Sequence, residues 1–241
     1  MAARPRPFDP EQYSLEQLCG RIFTRHSDRI RVRKPQQAVA NLSKVVRTFL
    51  KLTNRKGFHA TSLRELSEAA ELSMGGLYSY FDSKDTLLLM ILGEVDTTMR
   101  EVLDAVPDEV RAVPLDHLRW VVDAHVRLTE VMQPWFAFVF MEAKSFPSNA
   151  RAAAIEAERL VEQVLEEIIE RGSKTDAFRV EDPVLTAALI KPLLQDWYIK
   201  RSKYRHRGIG IDRYIARVTA IIEAAVGVKP ALSLGQPHAD P

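Results

Sequence analysis

The sequence predicts an all-α protein, and three observations carry that prediction. Apolar residues recur at helical spacing along most of the 241 residues, capping residues and prolines mark helix starts at intervals, and no pair of alternating segments reads as paired strands. An apolar fraction of 46% against 27% charged residues can fill a sizeable core. One cysteine, Cys19, excludes an internal disulfide. With no secretory leader and no apolar run of about 18 residues, a cytoplasmic location is expected.

Residues 1–10 hold Pro5, Pro7 and Pro10 and read as disordered. Ser14 and Gln17 stand at capping-box spacing, and Leu15, Leu18, Cys19, Ile22 and Phe23 form one apolar face, so a short amphipathic helix follows. Pro35 disfavours helix at Lys34 and leaves Arg29-Ile30-Arg31-Val32-Arg33-Lys34 as an extended basic arm. Beyond it, Val39, Leu42, Val45, Val46, Phe49 and Leu50 line a helix that Gly57 is placed to end. Ser62 with Glu65 opens another helix and a very short one follows Ser73. Ser83-Lys84-Asp85 then starts a long helix burying Leu87, Leu88, Ile91, Val95, Met99 and Val102.

Pro107 and Pro114 break the chain before a helix from about Leu115 to Val131, and Pro134 sets off the aromatic run Trp135–Met141. A helix over 150–171 buries Ala157, Leu160, Val164, Leu165, Ile168 and Ile169 and stops at Gly172. Asp182-Pro183 starts the next, to about Tyr204, and Gly208 and Gly210 turn the chain into a last helix near Ile211–Val226. The tail from Gly227 reads as disordered. The expected organisation is a partly disordered extension with one short helix (1–35), a reading domain (36–99), a helical body (100–226) and a tail (227–241).

Charge is unevenly spread. Between Arg21 and Ala60 there are eleven Lys or Arg residues and one acid, Asp28, although the whole chain carries only +2. A basic front half on an acidic remainder points to a polyanionic partner for one end. The stretch from Thr61 to Asp85 fits two short helices joined by a tight turn. Leu63, Leu66, Ala70, Leu72, Leu77 and Phe81 point inward, and Ser73 caps a second helix whose first turn is free to enter a major groove.

This stretch resembles the DNA-binding domain of the TetR/AcrR family of bacterial regulators, over about residues 39–99. The resemblance rests on Gly57 after the first helix, the short second reading helix, and the run Leu77-Tyr78-Ser79-Tyr80-Phe81-Asp82-Ser83-Lys84. It implies a three-helix helix-turn-helix domain that binds double-stranded operator DNA as a homodimer, with a helical ligand-binding and dimerisation body behind it. Carried over by position, Ser62, Ser73, Tyr78 and Lys84 contact phosphates, Met74, Gly75, Gly76 and Ser79 face base edges, and Tyr80 lies near the DNA backbone. Glu71 departs from the pattern, standing where a small turn residue, usually glycine, is found.

The resemblance also implies a repressor released from its operator by a small-molecule effector. Pocket candidates are Trp120, Val121, His125, Leu128, Met132, Trp135, Phe138, Val139, Met141, Glu142, Trp197 and Tyr198. Body features shared with fatty-acid-type regulators imply an apolar or acyl effector, with Lys200, Arg201 or Lys203 meeting the phosphates of an acyl-coenzyme A. Pairing of the last two long helices with a second copy would use Leu185, Ala188, Leu189, Pro192, Leu193, Val218, Ile221, Ile222 and Ala225, although these faces equally suit packing within one subunit. An enzyme is disfavoured: there is no nucleophile elbow or phosphate-binding lysine loop, and the six histidines lack chelating spacing. No cofactor or metal is expected. Control by a protein partner instead of a ligand would leave the body filled, whereas an effector needs a formed cavity.

Overall fold

In the computed structural model, which describes residues 7–228, twelve α-helices follow one another and no strand occurs among the described residues. They are α1 (Leu15–Arg25), α2 (Pro35–Lys56), α3 (Leu63–Ala69), α4 (Met74–Leu77), α5 (Lys84–Asp104), α6 (Asp108–Ala112), α7 (Pro114–Val131), α8 (Gln133–Glu142), α9 (Ser148–Lys174), α10 (Pro183–Ile199), α11 (Arg201–His206) and α12 (Ile211–Ala225). The all-α expectation is met. Most of the disorder expected for residues 1–10, and the tail beyond Val228, lie outside the described residues.

The caps read from the sequence form as hydrogen bonds. Ser14, Ser62, Ser73, Ser83 and Asp182 each accept a backbone N–H in the first turn of the helix they precede. Gly57 ends α2 with φ of 91°, a value that suits a residue without Cβ. Gly172 was expected to end its helix and does not: α9 runs on to Lys174, and the left-handed residue after it is Asp176. The glycine is needed for packing, because a Cβ there would lie 2.0 Å from the Phe178 ring. The helix expected over 183–204 breaks at Lys200 into α10 and α11, and α6 is a further short helix between Pro107 and Pro114.

Helix α1 is part of the core rather than an appendage. Leu18, Cys19 and Ile22 are at most 1% exposed, and burial pushes the Cys19 thiol up to about 12, which keeps it unreactive. Across α1, Arg21 and Arg25 reach the fully buried carboxylate of Glu94 on α5, at 3.0 and 2.8 Å. Burial raises the Glu94 pKa against the lowering effect of both arginines. Helices α5, α7, α9 and α10 pack side by side to form the body, and α12 covers α7 and α10.

Between α7 and α9, His117 Nδ1 lies 2.8 Å from the Arg171 guanidinium. That nitrogen must accept, so the ring is neutral, and burial with the nearby arginines holds its pKa down to about 4. A lowered histidine pKa stabilises the fold above the unfolded value near 6.5 and loses that contribution as pH falls towards 4. Stability should therefore drop by roughly 2–3 kcal/mol between those limits. Denaturant unfolding across this range should show the drop, and His117→Gln should flatten it.

Candidate nucleic-acid interface and ligand cavity

The turn between α3 and α4 is closed by local bonds. Leu72 N–H donates to Ser67 O at 3.0 Å, and the Ser67 hydroxyl donates to Leu72 O at 2.5 Å. Glu71 sits in this turn with φ of 56°, the left-handed region that glycine adopts without steric cost. Leu77, Tyr80 and Phe81 anchor α4 below, all nearly fully buried. On the outer side, Ser62, Ser73, Gly75 and Tyr78 are exposed, and Met74, Gly76 and Ser79 are half-exposed. A Cβ at Gly75 would meet nothing within 4 Å, so the helix presents bare backbone there. The Gly76 N–H donates to the Ser73 hydroxyl oxygen, and the Ser79 hydroxyl donates to Gly76 O.

Of the nine predicted DNA-facing residues, Tyr80 is turned inward and Lys84 is half-buried against a neighbouring loop. Tyr80 is 1% exposed and belongs to the core of the reading head. Lys84 donates to Phe58 O and Thr61 O at 2.9 and 3.0 Å and lies 4.3 Å from the Phe58 ring centroid. Desolvation lowers its pKa. Two of its three ammonium N–H groups go to the loop between α2 and α3, which leaves one for a phosphate.

The body contains a cavity of about 490 Å³ between α5, α7, α8, α9 and α10. Val95, Met99, Phe136, Val139, Ala154 and Val161 make it mainly apolar. One pole is polar: His125, Lys191, Gln195, Glu158 and Tyr198 converge there. Gln195 donates to Glu158 Oε1 at 2.8 Å, and Lys191 Nζ approaches Glu158 O at 3.5 Å. Burial drops the Lys191 pKa to about 8, against the raising effect of Glu158 and Glu162. Burial and the neighbouring Lys191 hold His125 well below its ordinary value, and its Nδ1 has no hydrogen-bond partner among the described residues. Exposed Lys144 and Arg151, with exposed Phe140, Met141 and Ile155, form the rim.

Of the predicted pocket residues, His125, Val139, Met141 and Tyr198 line this cavity, and Trp120, Val121, Leu128, Met132, Trp135, Phe138, Glu142 and Trp197 do not. Val121, Leu128, Met132 and Phe138 are solid core. Trp197 stacks on Tyr204 and donates to Glu130, Trp135 faces a separate groove beside α2, and Trp120 lies half-buried on α7. Glu142 accepts from Phe58 N–H at 2.7 Å, joining α8 to the loop that Lys84 holds from the other side. Lys191 and Gln195 were missed because a lysine and a glutamine within an apolar helical run look like solvent-facing breaks in it. The cations expected to meet phosphates are already paired: Arg201 with Glu130, and Lys200 and Lys203 with Asp196, whose pKa they help lower to about 2.

Two family models fall on these two parts of the chain: bacterial regulatory proteins of the tetR family on residues 48–91, and the tetracyclin repressor-like C-terminal domain on residues 111–199. The chain belongs to the TetR family. It is thus a DNA-binding transcriptional regulator rather than an enzyme. YuxN of Bacillus subtilis (strain 168), an uncharacterized HTH-type transcriptional regulator, is 38% identical over 61 residues, which is 25% of this chain and 21% of YuxN. HbdR of Aromatoleum sp. (strain CIB), an HTH-type transcriptional regulator, is 21% identical over 172 residues, 70% of this chain and 73% of its own. The structure of AibR, solved with isovaleryl coenzyme A and operator DNA, shares the fold with a TM-score of 0.63. It is 18% identical, with 77% of this chain and 97% of that one covered.

If the left-handed turn strains Glu71, then Glu71→Gly in this TetR-family chain should raise stability by about 0.5–1 kcal/mol, the αL penalty less glycine's entropy cost. Chemical denaturation reads the difference, and a loss of stability would show that Glu71 is held by something other than the turn.

Proposed function

We propose that this TetR-family regulator is a homodimeric repressor that leaves its operator when an apolar or acyl-type effector enters the body cavity. The carrying observation is that one helix serves both sites: α5 begins at the reading head, where Lys84 grips the Phe58–Thr61 loop, and lines the cavity 11 residues later with Val95, Asp96 and Met99. A ligand that prefers one position of α5 alters the spacing of the two heads, and binding of DNA and effector then oppose each other. An open cavity supports control by a ligand over control by a partner protein.

In this reading Ser62, Ser73 and Tyr78 hold phosphates, while Met74, Gly75, Gly76 and Ser79 meet base edges. Lys191, Gln195 and His125 receive an accepting head group, a carboxylate or thioester carbonyl, and the apolar walls take the chain. Isovaleryl coenzyme A bound to AibR is a precedent for an acyl ligand in this fold. Lys144 and Arg151 on the rim replace Lys200, Arg201 and Lys203 as partners for a phosphorylated carrier. Dimerisation uses the exposed apolar residues Val184, Leu185, Leu189 and Ile221; Val218 and Ile222 are buried within the subunit instead.

Selection from a random-sequence duplex pool should yield a retarded operator, and short- to medium-chain acyl-coenzyme A or the free acids should release it. Failure to retain any duplex at low salt would defeat the repressor reading. Calorimetry with the released ligands should show affinity at least about tenfold weaker for Lys191→Met, with unfolding stability kept, because an apolar isostere replaces a buried cation. Binding of an anionic head should also weaken as pH rises through about 8, where Lys191 loses its proton beside Glu158, Glu162, His125 and Tyr198. Leu189→Asp should convert the dimer to a monomer in light scattering.

A further inference from the structure

The basic arm ahead of α2 is held in place, and its geometry depends on a two-residue alternation. Arg29 closes the turn after α1, residues 30–34 have no regular secondary structure, and exposure alternates along Arg29-Ile30-Arg31-Val32-Arg33. Ile30 is 7% exposed and Val32 packs against the core, while Arg29, Arg31 and Arg33 all face solvent. The Arg31 N–H donates to Ser79 O at 2.8 Å, which fastens the arm two residues past the end of α4, next to exposed Tyr78. Upstream, the arm is secured by α1, whose Arg21 and Arg25 bind buried Glu94. A solubilising tail needs neither a buried alternation nor a tie to the reading head.

Three guanidinium groups are thus displayed beside α4. The only carboxylate paired with them among the described residues is Asp28, 3.9 Å from Arg29, with both side chains at least 66% exposed. Arg29 to Arg33 spans at most about 13 Å at strand rise, roughly the axial rise of four base pairs. We propose that Arg29, Arg31 and Arg33 form a second DNA contact, on the backbone bordering the minor groove that flanks the major-groove segment read by α4. The inference rests on the DNA-binding reading of α4 and adds a contact that the two-helix motif does not supply. Because α1 is held by Glu94 while the adjacent Val95 lines the cavity, the arm and the reading head hang from the same effector-sensitive helix.

Deleting the first 34 residues would remove α1 from the core, so point variants are the sound test. The probe is the duplex obtained by pool selection with the wild-type chain. Arg29→Ala/Arg31→Ala/Arg33→Ala should keep the wild-type unfolding curve and lose at least about tenfold in affinity at moderate salt. Its slope of log affinity against log salt should be shallower by about 2 or more. Hydroxyl-radical footprints should lose protection only at the outer edges of each half-site, and the corresponding triple lysine variant should recover most of the slope. An unchanged slope and footprint, with the wild-type chain still bound, would overturn the arm contact and leave the regulator reading intact. If the wild-type chain retains no duplex, both fall together.

Discussion

Helix α5 joins the reading head, α1 and the cavity through its buried side, and this constraint organises the molecule. Its first residue, Lys84, is committed to two loop carbonyls; Glu94 carries two arginines from α1; Val95, Asp96 and Met99 look into the cavity; Leu87, Leu88 and Ile91 are fully buried. A packed interior resists gradual deformation and shifts between discrete arrangements. Any ligand that displaces α5 must therefore move the Phe58–Thr61 loop, the reading head and α1 together.

The charged groups at the joints of this arrangement are costly to bury, and Glu94, Lys84 and Glu142 are each met by a directional partner. Glu94 is buried with a raised pKa, and two guanidinium groups with the Thr98 hydroxyl offset that cost. Lys84 gives up hydration for two carbonyls and an aromatic face, and Glu142 reaches the same loop from α8. Such bonds fix orientation more than they add stability, which suits joints between a reading head and a sensor. Lys191, His125 and Gln195 differ, since they border an open cavity and His125 Nδ1 has no partner among the described residues. An unsatisfied buried polar atom beside open space is what a ligand head group would complete.

Much of the reading head was legible in the sequence because its signals are local. Ser62, Ser73 and Ser83 bond within three residues of themselves, and Gly57 ends its helix through its own backbone angle. Where the sequence misled, the deciding partner was distant. Lys84 resembles an exposed helix-start lysine until Phe58 and Thr61 are brought to it from 26 and 23 residues away. Gly172 resembles a helix stop until Phe178 folds back onto it. Trp197 resembled a pocket aromatic, yet Tyr204 and Tyr214 close over it and Glu130 takes its N–H.

What the residues determined unaided is mostly short in range: most of the helices, the serine and aspartate caps, the reading turn and the basic front half. These follow from torsional preference, hydrogen bonds within one turn and hydrophobic period, all of which act over a few residues. Only the tertiary structure decided where the cavity lies, that a lysine and a glutamine of α10 form its polar pole, and that Arg31 is tied to Ser79 across 48 positions of chain. Burial and electrostatic environment depend on which helices become neighbours, and that information is not carried by any single segment.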